Sequence, residues 1–394
     1  MTHDFIKVER IIRAALGLLE REIVLPRLVW RDAGGDFAGA KNDTISLRLP
    51  SYTAARSRTL RAGTAITADE LHETKVDVTL DTDLYKAVTV SDEQLTLDIE
   101  SFGEQVLSPV VRSIAYGVED VLIALMAGAD YERADIEVVD ATAFEAIVDA
   151  RKALNDARVP VSGRALVVGS QIEAKLLKSD QLARYSYSGD SSAFRDANIG
   201  RIVGFDVVTV PGIAPDVGYA FHSSAFVLSM KAPVVPEGAT WGRSMSFAGL
   251  AMRVLRDYDY TNTSDRLLAD VYVGANTVAD DGHFNANGLW VPSVGARPVG
   301  ENFSATGEAD TELFTSVAHG LEVGDKIQFS ALTGGTGLTT ATDYFVIASG
   351  LTADAFKLSE TDGGAAVDFT TDVTASTLAK RGRLIRAVPL VDAS

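Results

Sequence analysis

The sequence predicts an α+β fold: a large body preceded by an extended N-terminal arm and followed by a small all-β domain. Three observations predict it. Apolar residues keep helical spacing from Leu95 to Leu125, strand and helix patterns alternate over residues 135–232, and short strands between Gly and Thr turns fill residues 303–379. At 394 residues the chain exceeds what one hydrophobic core usually serves. Hydrophobic residues at 46% and charged residues at 23% are those of an ordinary globular protein.

Taken in order, Ile6, Ile11, Ile12, Ala15, Leu18 and Leu19 trace the stripe of an amphipathic helix that runs to about Arg21, and Pro26 ends it. The four basic residues among them rule out a signal-peptide core, and no window reaches the ~18 apolar residues of a membrane span. Residues 31–41, with DAGGDFAGA, read as a tether. From Thr44 to Leu49, Ile45, Leu47 and Leu49 alternate with polar residues as in a half-buried strand. After Pro50 come about two dozen residues with almost no large apolar side chains, then strand patterns at 75–80 and 84–90, so residues 36–81 read as a long hairpin arm.

Ser91 and Gln94 form a capping box opening the helix at 92–128. Unbroken, that helix would be ~55 Å long at 1.5 Å per residue, with a kink expected at Pro109. Strands at IEVVD, ALVVG, FDVVTV and FVLSM then alternate with helices at 144–154 and 171–177. MRVLRDYDY and LADVYVG mark further strands between Ser244 and Val273. Residues 303–379 carry eleven acidic residues against Lys326 and Lys357, a net charge of −9, with strands expected at KIQFSAL, YFVIAS, AFKLSE and AVDFTT.

Chemistry-bearing patterns are sparse. A net charge of −18 argues against a general grip on nucleic-acid phosphates. There is no cysteine, and the histidines, His3, His72, His222, His283 and His319, have no ligand spacing. Phosphate-loop, dinucleotide and nucleophile-elbow motifs are absent, and LTGGTGLTT at Gly334–Gly337 lacks the following helix an anion would need. Asp257 and Asp259 share one strand face beside Arg253 and Arg256, which reads as an ion network rather than a metal or acid–base pair. The arm is the unusual part. Arg48, Arg56, Arg58 and Arg61 fall between Thr44 and Arg61 without one acidic residue, in a strongly acidic protein. Guanidinium forks of that kind are expected to meet carboxylates of a neighbouring copy.

Read together, DFAGAKNDTISLRLP (36–50), VSDEQLTLDIESFGEQV (90–106), GRIVGFDVVTVPGI (200–213), and GLAMRVLRDYDY with SDRLLADVYVG (249–274) resemble, in sequence and order, the major capsid proteins of tailed bacteriophages with the Hong Kong ninety-seven type shell fold. The likeness is closest to the coat proteins grouped with that of the Salmonella short-tailed phage. It implies an N-terminal arm (1–43), an extended loop (44–90), a peripheral domain (91–133 and 233–299) with its spine helix at 92–128, an axial domain (134–232), a β-domain (303–380) and a C-terminal tail (381–394), with LIRAVPLV returning to the main body. HGLEVGD (319–325), TDYFVI (342–347) and AFKLSETDGGAAVDFT (355–370) resemble a β-domain that recurs in phage structural proteins and would decorate the shell outside.

The resemblance further implies a non-enzymatic subunit, without cofactor or metal, that forms hexamers and pentamers of an icosahedral virion shell around double-stranded DNA. Its partners would be itself, a scaffolding protein and a portal, with no membrane, and assembly would take place in the cytoplasm of the bacterial host. Some relatives weld subunits through a loop lysine, but residues 42–74 contain none. An encapsulin-like cargo shell and a tail or adhesion protein with a carbohydrate-binding β-domain are the alternatives.

Overall fold

The computed structural model describes residues 24–31, 44–49, 57–61, 65–66, 74–97, 103–179, 200–239, 241–247, 250–285, 287–293, 297–340 and 342–393. The expected helix to Arg21, the tether beyond Arg31, and Arg56, His3 and His72 lie outside the described residues. Helix and strand mix throughout, and the chain closes a small all-β barrel near its C-terminus.

The first core forms where a helix lies on a sheet. Strands β3 (Thr82–Ser91), β9 (Phe226–Lys231), β10 (Trp241–Phe247), β11 (Leu250–Asp259) and β12 (Ser264–Thr277) make an antiparallel sheet of order β10-β11-β12-β3, with β9 on the far half of β12. Val110, Val111, Ile114, Val118, Leu122 and Met126, at three- and four-residue steps on helix Ser108–Ala127, bury against Val254, Leu267, Ala269 and Val271. The capping box forms as expected: the Ser91 amide donates to Gln94 Oε1 at 3.2 Å and the Gln94 amide to Ser91 Oγ at 3.3 Å.

The single long helix does not form among the described residues. A short helix, Asp92–Leu97, is followed by a π-helical turn at Gly103–Leu107 and then by the 20-residue helix Ser108–Ala127. Pro109 has no amide hydrogen to donate, and it falls in the first turn of the α-helix, where the ladder changes from π to α spacing.

The second core lies under a six-stranded mixed sheet. It consists of β4 (Ile136–Val138), β5 (Arg164–Val168), β6 (Arg201–Ile202), β7 (Phe205–Thr209), β8 (Val217–His222) and β21 (Ala387–Asp392), in the order β4-β21-β8-β5-β7-β6. β5 is buried on both faces, which is why it reads as an unbroken apolar run. Leu166 and Val168 meet the helices Ala143–Asp156 and Ser170–Lys178, while Ala165 and Val167 face the first core. The last strand, β21, lies between β4 and β8, an interior position one strand in from the edge of this sheet.

Between β13 (Gly282–Phe284), β14 (Trp290–Pro292) and β21 sits the barrel: β15 (Asn302–Glu308), β16 (Leu313–Thr315), β17 (Lys326–Gly334), β18 (Asp343–Ile347), β19 (Ala355–Ser359) and β20 (Val373–Arg381). It closes in the order β15-β16-β19-β18-β17-β20 around Phe303, Phe314, Phe329, Tyr344, Phe356 and Phe369. AVDFTT is not a strand. After the turn at Gly363–Gly364 the segment stays irregular, with only Phe369 fully inserted, and the pairing passes to the Thr- and Ala-rich β20. Gly334, Gly335 and Gly337 all take positive φ, as the turn reading of LTGGTGLTT requires.

Candidate assembly surfaces

The arm is built on β1 (Thr44–Leu49) and β2 (Thr74–Thr79), paired antiparallel from Thr44↔Thr79 to Leu49↔Thr74. Alternation decides which face anchors. Ile45, Leu47, Val76 and Val78 point together onto Val227 and Val278, beside Trp30. Asn276 Nδ2 donates to the Asp77 carbonyl at 2.7 Å, and Gly274 lets the backbone at Thr79 pass where a Cβ would come within 2.1 Å of its carbonyl oxygen. The opposite face is polar: Thr44 and Thr79 hydroxyls meet at 2.8 Å, Lys75 pairs with Asp77 at 3.2 Å, and the Ser46 hydroxyl donates to Asp77. That donation, with Lys75, holds the Asp77 carboxyl below its ordinary value against the opposing effect of burial. The base is therefore pinned, and the 24 residues between Leu49 and Thr74 leave the body from a fixed point.

Three of the four arginines proposed for contact fall on described residues. Arg48 is exposed on β1, opposite Lys75. Arg58 and Arg61 are exposed in the loop, Arg61 with φ of +68°. Sequence reasoning missed what lies beside them. Leu60 is 91% exposed and Ile66 79% exposed. A lone Leu and a lone Ile in a stretch of Ser, Thr, Ala and Arg were the available signal, since such side chains normally find cover.

The carboxylates of β11 have separate partners. Asp257 pairs with Arg266 at 3.1 Å across the ladder, while Asp259 accepts from the Thr261 amide and Asn262 Nδ2, both at 2.9 Å, and closes the hairpin turn. Arg253 with Asp270 and Arg256 with Asp265 extend the ladder. This is the ion network the sequence suggested, and no cluster of potential metal ligands occurs among the described residues. His222 bonds Ser224 at 2.8 Å, and His319 is buried against Phe356 with a ring separation of 5.1 Å.

A buried charge network joins barrel to body, its members too far apart along the chain to form a motif. Lys380 is 1% exposed, between Asp281 at 2.8 Å and Asp325 at 3.0 Å, and donates to Ser293 Oγ at 2.9 Å. Lys326 spans Asp130 and Asp343, each at 2.8 Å, and Arg383 spans Glu132 at 2.7 Å and Asp362 at 3.2 Å. Burial pushes the carboxyls of Asp281 and Asp325 up, with Lys380 opposing. Burial works against the Lys380 ammonium, but Asp325 and Asp281 outweigh it and hold its pKa above the ordinary lysine value. The barrel is thus fixed in one orientation on the body.

Residues 73–267 match the family model described as phage capsid protein. Among solved structures, one from Mycobacterium phage Che8 is 21% identical, with a TM-score of 0.49, covering 65% of this chain and 88% of that one. The virus-like particle from Pyrococcus furiosus is 11% identical, with a TM-score of 0.42, covering 68% and 94%. The capsid of Ralstonia phage GP4 is 12% identical, with a TM-score of 0.44, covering 64% and 83%. No curated protein sequence matches the chain.

Proposed function

We propose that this chain, whose residues 73–267 match the phage capsid protein family, is a structural, non-enzymatic capsid protein that tiles an icosahedral virion shell as hexamers and pentamers, each copy gripping the next through the arm at residues 36–81. The arm carries the reading: a base packed on Val227 and Val278 supports a loop that presents Arg58, Leu60, Arg61 and Ile66 to solvent. Arg48, Arg56, Arg58 and Arg61 are the proposed contacts with the neighbouring subunit. Charge complementarity at such a surface fixes register and suppresses wrong partners, and strand addition along the arm supplies the rest.

The spine and its sheet form the peripheral part of the subunit and the six-stranded sheet the axial part. The barrel projects outward as a built-in decoration, its acidity keeping the shell soluble. The shell encloses double-stranded DNA without sequence-specific contact, and a scaffolding protein and a portal are the further partners during assembly in the host cytoplasm. Among the described residues no helix is long and apolar enough to cross a membrane.

Electron microscopy of the purified chain tests this. Large closed shells are expected. A stable monomer, or small shells filled with a protein cargo, would overturn it. Reversing charge at Arg56, Arg58 and Arg61 should leave the subunit folded by circular dichroism while shells fail to form, and normal shells from that variant would remove the arginines from the contact.

A further inference from the structure

We propose that the arm tip of one subunit docks on the β-barrel of a second copy, with Leu60 seated in a groove of the barrel and Arg58 and Arg61 directed at the carboxylates on its rim. This rests on the shell-forming reading above and names the arm's partner surface.

The groove lies on the outside of the barrel, where β15, β20 and β17 run side by side and the chain after β16 turns away. Its volume is about 570 Å³, and its walls include Ser304, Thr306, Val317, Ala331, Thr374 and Ala375. The residues are small and the floor is mostly apolar, so a protruding aliphatic side chain fits without displacing anything large. Val317 on its lip is itself 82% exposed. Carboxylates stand around it: Glu308 follows Thr306 on the same outward face of β15, Asp372 precedes Thr374, and Asp354 holds the Ala318 amide at 2.7 Å. Over residues 303–379 the barrel has a net charge of −9.

The arm supplies what this surface lacks. It carries cations without acids from Thr44 to Arg61, and two of its large apolar loop residues, Leu60 at 91% and Ile66 at 79% exposure, are not covered by their own chain. Each half of the 24-residue loop spans at most about 40 Å fully extended, enough to cross onto a neighbour. The contact joins two different surfaces, so it is head-to-tail, the kind that closes into rings when the rotation permits. It can therefore repeat around a pentamer and a hexamer.

The chain has no cysteine, so a disulfide pair reports the contact directly. Leu60→Cys and Val317→Cys are introduced together and singly in the full chain, and the assembled particles are oxidised and run on a denaturing, non-reducing gel. A ladder of covalent oligomers from the double variant, absent from either single variant, is the expected result. Particles that form but give no ladder, or only a fast-migrating internally linked monomer, would overturn this inference and leave the shell reading intact. Failure of the unmodified chain to form particles would overturn the shell reading and this inference with it. A second measurement guards against misfolding: Arg58→Glu with Arg61→Glu should abolish the ladder, and adding Glu308→Lys should restore part of it. No loss of the ladder on reversing the arginines would also overturn the proposal.

Discussion

Lys380 between Asp281 and Asp325 shows why buried ions are held as sets. Each alone would carry the cost of leaving water, and removing one strands the others. Lys380→Met should therefore destabilise the chain by about 3–5 kcal/mol in urea unfolding, because two buried carboxylates lose their counter-charge. The pH dependence follows from the raised ammonium pKa. A lysine whose folded value exceeds its unfolded one contributes fully below the unfolded value and loses that contribution as pH rises through the folded one. The stability gap between the natural chain and Lys380→Met should hold through neutral pH and narrow above the ordinary lysine range. A gap that stays constant into alkali would show that the ammonium is not what Asp281 and Asp325 require. At the other end of the scale, Ser91→Ala removes one half of a reciprocal cap and should cost only about 1 kcal/mol in the same measurement. The cap was legible in the sequence because it is local. The Lys380 set was not, since its members lie at 281, 325 and 380 and only the closed fold brings them together.

Elements were legible in proportion to how strongly one face is buried. β5 and the spine helix stand out because their apolar spacing is dictated by cores on one or both faces. β20 escaped notice because it is Thr- and Ala-rich, with only Val373 and Leu378 as large buried apolar residues. The π-turn before Pro109 escaped too, because apolar spacing shows which residues are buried and not whether the backbone bonds at α or π spacing. β21 has the largest consequence. It is the final strand in sequence but an interior strand in space, with Leu390 opposite Ile136 on one side and Val388 opposite Ala220 on the other. Deleting residues 384–394 should unpair both neighbours and uncover Val388's side of the second core. The barrel closes on its own Phe-rich core without β21, so limited proteolysis of the truncated chain should leave a resistant fragment of barrel size and digest the rest. Unchanged proteolysis of the whole chain would show that β21 is dispensable to its sheet.

For the whole molecule, the question is whether the barrel only covers the shell or also ties subunits together. Its ends are adjacent, since Asn302 pairs with Ala379 and the Gly300 amide donates to the Lys380 carbonyl at 2.8 Å. Residues 301–381 can therefore be replaced by a short Gly-Ser linker without stretching the body. The excision removes Lys326 and Lys380 together with the surfaces that cover Glu132 and Asp281, so those carboxylates meet water instead of remaining trapped, while Asp130 is exposed already, and the body should fold as a monomer by circular dichroism and gel filtration. If the barrel receives a neighbour's arm, the excised chain should yield few or unstable particles. Particles of the natural chain should also loosen as salt rises from 0.1 to 1 M, where the screening length shrinks from about 10 to about 3 Å. If the barrel is decoration alone, the excised chain will form particles of ordinary stability, and salt will affect both chains alike. The acidic barrel and the acid-free, arginine-bearing stretch from Thr44 to Arg61 belong to one chain, which favours the first outcome: a negative barrel repels other barrels, and in a shell made of one repeated subunit that stretch is a patch of opposite sign that every neighbour carries.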